Sequence, residues 1–239
     1  MIEQHFMKLR ARHAVSDEEE RAIRAAIRDV RDYGPDRTII RAGEVMTFST
    51  LLLDGFMCRF KDLREGQRQI MELHVAGDFA DMHSYTLKRL DHNVMTLSPC
   101  RIALLAHDEA RRLFDSFPHL RDVYWFGTNL DAAIHREWTL SLGRRDARSR
   151  TAHLFCELRV RLGIVGRADD TGYDLPLTQA DLAECLGLTS IHVNRVLKEL
   201  RESGLLQFRG GRVSLLDLPG LERVAEFDPA YLYLDPPPF

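Results

Sequence analysis

Ile191, Asn194, Arg195 and Lys198 stand at i, i+3, i+4 and i+7, the spacing that gathers side chains on one face of a helix. That face offers an apolar group, an amide, a guanidinium and an ammonium. Arg pairs bidentately with guanine, Asn with adenine, and Ile meets a thymine methyl, so the set can read base edges in a major groove. Thr189, Ser190 and His192 adjoin it with the reach of backbone-phosphate contacts. Arg209 and Arg212 flank a Gly-Gly turn further on and, with Lys198, are further candidates for phosphate. Each is equally well explained as a solvated surface charge.

The elements that must hold this face are legible around it. Thr178 has capping-box spacing to Asp181, so a helix starts there, with Ala180, Leu182, Ala183 and Leu186 as its apolar side. Gly187 suits the left-handed residue that ends a helix, and Leu188 plugs the turn. Thr189 or Ser190 caps a second helix, whose inner face is Val193, Val196, Leu197 and Leu200. Glu202-Ser203-Gly204 closes it. Leu205 to Phe208 and Val213 to Leu216 then flank Arg209-Gly210-Gly211-Arg212, a tight hairpin with a basic residue at each shoulder. The order predicts a winged helix-turn-helix.

The totals set bounds. The 239 residues suffice for one large domain or two small ones, with apolar content enough for real cores. A net charge of −3 excludes a uniformly basic nucleic-acid coat, although residues 144–223 carry a small basic excess. The most apolar run, residues 51–60, is broken by Asp54, Gly55 and Arg59, so neither a signal peptide nor a membrane span is expected, and the compartment expected is the cytoplasm. Cys58, Cys100, Cys156 and Cys185 are scattered without a C-x-x-C pair, which suits free thiols.

Upstream of the winged unit the texture changes. Residues 16–31 carry a cap, an acidic first turn and Ile23, Ala26, Ile27 and Val30 on one face, predicting an amphipathic helix. From Thr38 to about Leu105, short β-like runs alternate with turns: 38–41, 45–50, 51–53, 56–60, 68–75, 94–97 and 100–105, with a hairpin tip at 64–67. A β-roll of about eight strands is the economical reading. A short helix at 108–114 precedes a long one from Pro118, where Leu120, Val123, Gly127, Leu130, Ile134, Trp138 and Ser141 step by three and four. This stripe predicts a dimer seam; the alternative is packing on the chain's own roll. Arg144, Arg145, Arg148 and Arg150 follow, then an amphipathic helix over 152–162, a polar connection over 169–176, and a tail with Tyr231, Tyr233 and Pro236-Pro237-Pro238 that is either docked or frayed. The expected class is α+β: an N-terminal antiparallel, jelly-roll-like β-roll in 1–117, a long dimerisation helix in 118–143, and the winged unit with its tail in 144–239.

This order of elements resembles the Crp/Fnr family of bacterial transcription regulators over nearly the full length. The likeness is strongest in GRRDARSRTAHLFCEL and LTQADLAECLGLTSIHVNRVLKEL. The resemblance implies a homodimer joined through helix 118–142, bound to a palindromic double-stranded DNA site and acting on RNA polymerase. The family's reading helix commonly presents Glu, then after three residues a variable position and Arg. Here Arg195 matches the Arg, Asn194 the variable position, and Ile191 replaces the Glu, which shifts the expected half-site.

The family's cyclic-nucleotide receptors follow a Gly-Asp/Glu-Phe opening with a Gly-Glu pair and an Arg-Ser pair for the cyclic phosphate. Gly77-Asp78-Phe79 supplies the opening here, but Ala80, Asp81, Met82 and His83 follow it, and the Arg-Ser region falls near Asp91-His92-Asn93-Val94. A carboxylate in that place repels an anion, so cyclic AMP or cyclic GMP is not expected. Gly77, Asp78, Phe79, Asp81, Met82 and His83 remain the candidate effector pocket. Residues 1–40 lack cysteine, which excludes the family's iron–sulfur mode on ligand count.

Other chemistries have less behind them. His74 or His83 would have to serve as axial ligand in a haem sensor. Cys185 would be the thiol of a redox switch, against the plainer reading of a buried, inert residue. His74, His83 and His92 recur every nine residues, but cupin metal sites use an H-x-H pair that is absent, and no G-x-S-x-G elbow or phosphate loop occurs, so neither a metal site nor catalysis is expected. A winged unit that docks protein rather than DNA is the remaining alternative.

Overall fold

A computed structural model describes residues 2–234. The chain opens with helices α1 (Glu3–Arg10) and α2 (Asp17–Ala26), followed by strands β1 (Asp29–Tyr33), β2 (Thr38–Ile40), β3 (Phe48–Asp54), β4 (Met57–Asp62) and β5 (Arg68–His74). A single turn, α3 (Ser84–Leu87), precedes β6 (Asn93–Thr96) and β7 (Cys100–Ala106), then α4 (His107–Ser116), the long α5 (Pro118–Arg144) and α6 (Ala147–Ile164). The C-terminal part is β8 (Gly172–Asp174), α7 (Gln179–Leu186), α8 (Ser190–Glu202), β9 (Leu206–Arg209), β10 (Arg212–Leu215), α9 (Leu218–Ala225) and a 3₁₀ turn at Pro229–Leu232.

The roll consists of two antiparallel sheets, ordered β1-β7-β3 and β2-β6-β4-β5. Seven strands stand among the described residues where about eight were expected: 45–50 and 51–53 are not separate, since Val45 makes only an isolated bridge to Arg89 and β3 runs unbroken from Phe48, while β1 adds a strand that was expected as helix. The helix expected over 16–31 is corrected at its end. Ser16 and Glu19 close the capping box, but Ile27 turns extended, and residues 29–33 pair with β7 as an edge strand. Helical periodicity there is overridden by a sheet edge that needed covering. The polar connection over 169–176 likewise contains β8, which extends the wing to three strands.

The seam expected on α5 is also corrected. Leu120, Val123, Leu130, Ile134, Trp138 and Ser141 are buried, and Gly127 half-buried, against the chain's own elements. A continuous apolar core explains why. Phe56, Phe60, Ile70 and Leu73 from the roll meet Ile134 and Trp138 of α5 and Phe155, Leu182 and Val193 of the winged unit in one cluster. The outward side of α5 instead carries Trp125 (65% exposed), Thr128, Ala132, Arg136, Thr139 and Leu140 (47% exposed), again at helical spacing.

The tail is docked as far as Leu234. Tyr231 donates its hydroxyl to Glu157 at 2.9 Å, Leu232 O accepts from Arg12, and Tyr233 packs edge-on to Phe126. Pro236, Pro237 and Pro238 lie outside the described residues.

Candidate nucleic-acid interface and effector pocket

The capping box at α7 is complete: Thr178 N donates to Asp181 at 2.7 Å, and Asp181 N to Thr178 Oγ1 at 3.1 Å. Gly187 ends the helix in the left-handed conformation, φ 60°. Thr189, rather than Ser190, caps α8, its hydroxyl accepting from His192 N at 3.2 Å. The first residues of α8 are therefore fixed before any DNA arrives.

Burial sorts α8 as its spacing demands. Val193, Val196, Leu197 and Leu200 are buried. Ile191 is 85% exposed, and Ser190, Asn194, Arg195 and Lys198 are exposed with it, His192 half so. At this exposure the Ile191 side chain is free to meet another apolar group, such as a thymine methyl. Arg195 Nε lies 3.9 Å from Glu199 and Lys198 Nζ 3.7 Å from Glu202, loose surface pairs that a phosphate or base can replace. Asn194 is tied more firmly: its Nδ2 donates to Gln179 Oε1 of α7 at 3.1 Å. Gln179 has no signature spacing to α8 and was not foreseen.

In the wing, Gly210 and Gly211 both take positive φ, 59° and 74°, which a two-residue hairpin turn of the favoured hand requires. Arg209 is exposed with no carboxylate partner among the described residues, whereas Arg212 is paired with Asp174 at 2.8 Å. The arginines after α5 turn inward: Arg150 donates to Leu186 O, Leu142 O and Arg145 O, Arg145 pairs with Glu137 at 2.7 Å, and Arg148 donates to Ser203 at 3.0 Å. They brace the hinge between α5 and α7. Gln69, from the roll's β4–β5 hairpin, adds a brace by donating to Glu184 O at 2.8 Å. Cys185 is buried and its thiol pushed well above the usual range by burial, the behaviour of an inert packing residue.

The expected effector residues do not converge on one space. Gly77, Asp78, Phe79 and Met82 line a cavity beneath α1. Asp81 is sealed within the roll, accepts from Thr50 N and is pushed up to about 7 by burial. His83 lies elsewhere, its ring 5.3 Å from that of His92, and burial holds it down to about 3. The roll's buried cation, Arg59, has its donors taken by Glu72 and Asp131 at 2.7 Å each and by Ala80 O. Burial alone would raise Glu72, but Arg59, His74 and His135 hold it well below the usual carboxylate range.

Comparison with known proteins decides the family. A family model described as a Crp-like helix-turn-helix domain matches residues 149–224, and one described as a cyclic nucleotide-binding domain matches 30–117. A probable transcriptional activator of Rhizobium leguminosarum bv. viciae is 32% identical over 189 residues, 78% of this chain and 77% of that one. The chain belongs to the Crp/Fnr family of transcription regulators. Among other Crp/Fnr relatives, the transcriptional activator FnrL of Cereibacter sphaeroides is 28% identical over 85% of this chain and 82% of its own. The solved structure of FixK2 from Bradyrhizobium japonicum shares the fold, with a TM-score of 0.75 at 23% identity, covering 82% of this chain and 96% of that one. As a Crp/Fnr member the chain is a DNA-binding transcription regulator, and α7 and α8 are consecutive helices within the segment matched as its helix-turn-helix domain. Among the described residues no helix is long and apolar enough to cross a membrane, and no group of three or more His, Cys, Asp or Glu is placed to hold a metal ion.

Proposed function

We propose that this regulator acts in the cytoplasm as a homodimer on a palindromic operator, with Arg195 reading guanine, Asn194 a neighbouring base and Ile191 a thymine methyl. Thr189, Ser190, His192, Lys198 and Arg209 contact phosphates, and Arg212 does so more weakly because Asp174 competes for it. The observation that carries this reading is the division of α8 into a buried inner row and a bare outer row holding these three base-edge chemistries. Its outward stripe on α5, Trp125 to Leu140, supports a seam between two copies, and two-fold dimers match two-fold operators. Relatives named as transcriptional activators support activation, through contact with RNA polymerase.

The interior of the roll does not fit a cyclic nucleotide. Its one buried arginine among the described residues already has all three nitrogens engaged, two of them by carboxylates, and Asp91, in the place of the phosphate-binding arginine, is paired with Lys61 and His92. Nor do the histidines support a haem: His74 is sealed inside and His83 packs on His92. Selection of bound duplexes from a random pool, with footprinting, tests the reading directly. A two-fold symmetric consensus is expected, and retention of random sequence alone would reject it. Sedimentation of Trp125→Glu should show the dimer shifted to monomer.

A further inference from the structure

Beneath the Gly77–Phe79 turn, α1 and α5 line a half-open cavity of about 80 Å³. It is separate from the roll's interior: Arg59, Glu72 and Asp81 take no part in its wall. Phe79, Met82, Phe126 and Leu130 supply carbon, while Lys8 and Arg12 supply charge.

The charges there are unevenly answered. Asp78 serves two cations at once, Lys8 and, at 3.0 Å, Arg161 of α6. Asp131, the other carboxylate on the wall, is held by Arg59. Arg12 has no carboxylate partner among the described residues; its Nε and Nη2 donate to Leu232 O at 3.1 and 2.8 Å. Burial, followed by repulsion from Arg161 and Arg12, brings the Lys8 ammonium down to about 7. Burial and Arg161 bring Arg12 down to about 10. Both are cations that an added negative charge would stabilise.

We propose that this cavity binds a small anion, a short carboxylate or an inorganic oxyanion, with its charge on Lys8 and Arg12 and its body against Phe126 and Leu130. Size sets the class. A dry cavity of about 150 Å³ takes benzene, so the recess itself seats a few heavy atoms. The site deepens the reading of the chain as a regulator and rests on it for its purpose. An anion competes with Asp78 for Lys8, and Asp78 is the carboxylate that Arg161 of the DNA-binding domain grips.

Calorimetric titration of the purified full chain, without DNA, tests this. The probes are sodium acetate and, separately, sodium nitrate, with ionic strength held by gluconate, which is too bulky for the cavity. Saturable binding of at least one probe is expected, weakened tenfold or more in Arg12→Gln and Lys8→Met and unchanged in Lys61→Met on β4. The probe that binds tells carboxylate from inorganic oxyanion. No saturable heat with either probe, or parental affinity in Arg12→Gln, overturns the site. Should Lys8→Met fail to fold by circular dichroism, Arg12→Gln carries the test, because Arg12 bonds only to carbonyl oxygens. With no DNA present, an empty cavity and an unread operator are separate results.

Discussion

Arg161 Nη2 lies 3.0 Å from Asp78 Oδ2, with both side chains almost sealed from solvent, and so binds α6 of the winged unit to the turn of the roll. The same guanidinium reaches Glu157 at 2.9 Å and Leu73 O at 2.6 Å. Glu157 in turn accepts from Trp138 of α5 and from Tyr231 of the tail. One side chain thus joins four parts of the chain.

Arg161→Ala leaves the buried Glu157 without its cation and Asp78 with Lys8 alone. Breaking a buried pair from one side costs about 3–5 kcal/mol, so the midpoint of urea unfolding should fall steeply. A loss below about 1 kcal/mol would show that water reaches and solvates the network.

Arg195→Ala should cost about 1–3 kcal/mol of operator affinity and relax preference at a single base pair. Arg209→Ala should weaken all duplexes alike and lower the salt slope by about one. Arg212→Ala should change less than Arg209→Ala, since Asp174 already offsets its charge. Gel shifts across a substituted operator series at several salt concentrations separate the three.

Gln179→Ala frees the Asn194 amide to rotate. Affinity should fall little, but discrimination at the base beside the Arg195 contact should drop, and Asn194→Ala should remove any further effect of Gln179→Ala. Uniform weakening with unchanged base preference would make Gln179 a phosphate contact instead.

Acid should destabilise the fold through His5. Its ring is buried, bonded to Gly77 O and Tyr124, and burial brings its pKa down from 6.5 to about 4. Between those values the unfolded chain binds the extra proton, so stability falls as pH drops from about 6.5 toward 4, by at most about 3 kcal/mol. In melts over this range His5→Gln, which can still hydrogen-bond, should show a shallower acid limb. An identical slope would assign the effect to other buried histidines.

The DNA-reading half was legible because its signals are local. A cap three residues from its acid, a glycine that must be left-handed, and a helix with opposed apolar and polar rows declare themselves in short windows, and Thr178, Gly187 and α8 stand as their spacing requires. Signals that depend on distant partners were not legible. Val30 belongs to a strand only because β7 lies beside it, and the α5 stripe reads the same whether a second copy or the chain's own core covers it. Gln179 acts on Asn194, and Arg161 on Asp78 and Leu73, across distances in sequence that no spacing connects; only the Arg161–Glu157 pair, one helical turn apart, has a local signal.

The apolar core that runs without a break from Phe60 and Leu73 through Trp138 to Leu182 and Val193 limits how such a regulator can change in evolution. A reading head transplanted from a relative would have to fit the outer face of β4 and β5 as closely as it fits its operator. New DNA specificity is therefore gained most readily by changing a single residue such as Ile191, which stands 85% exposed on the solvent side of α8.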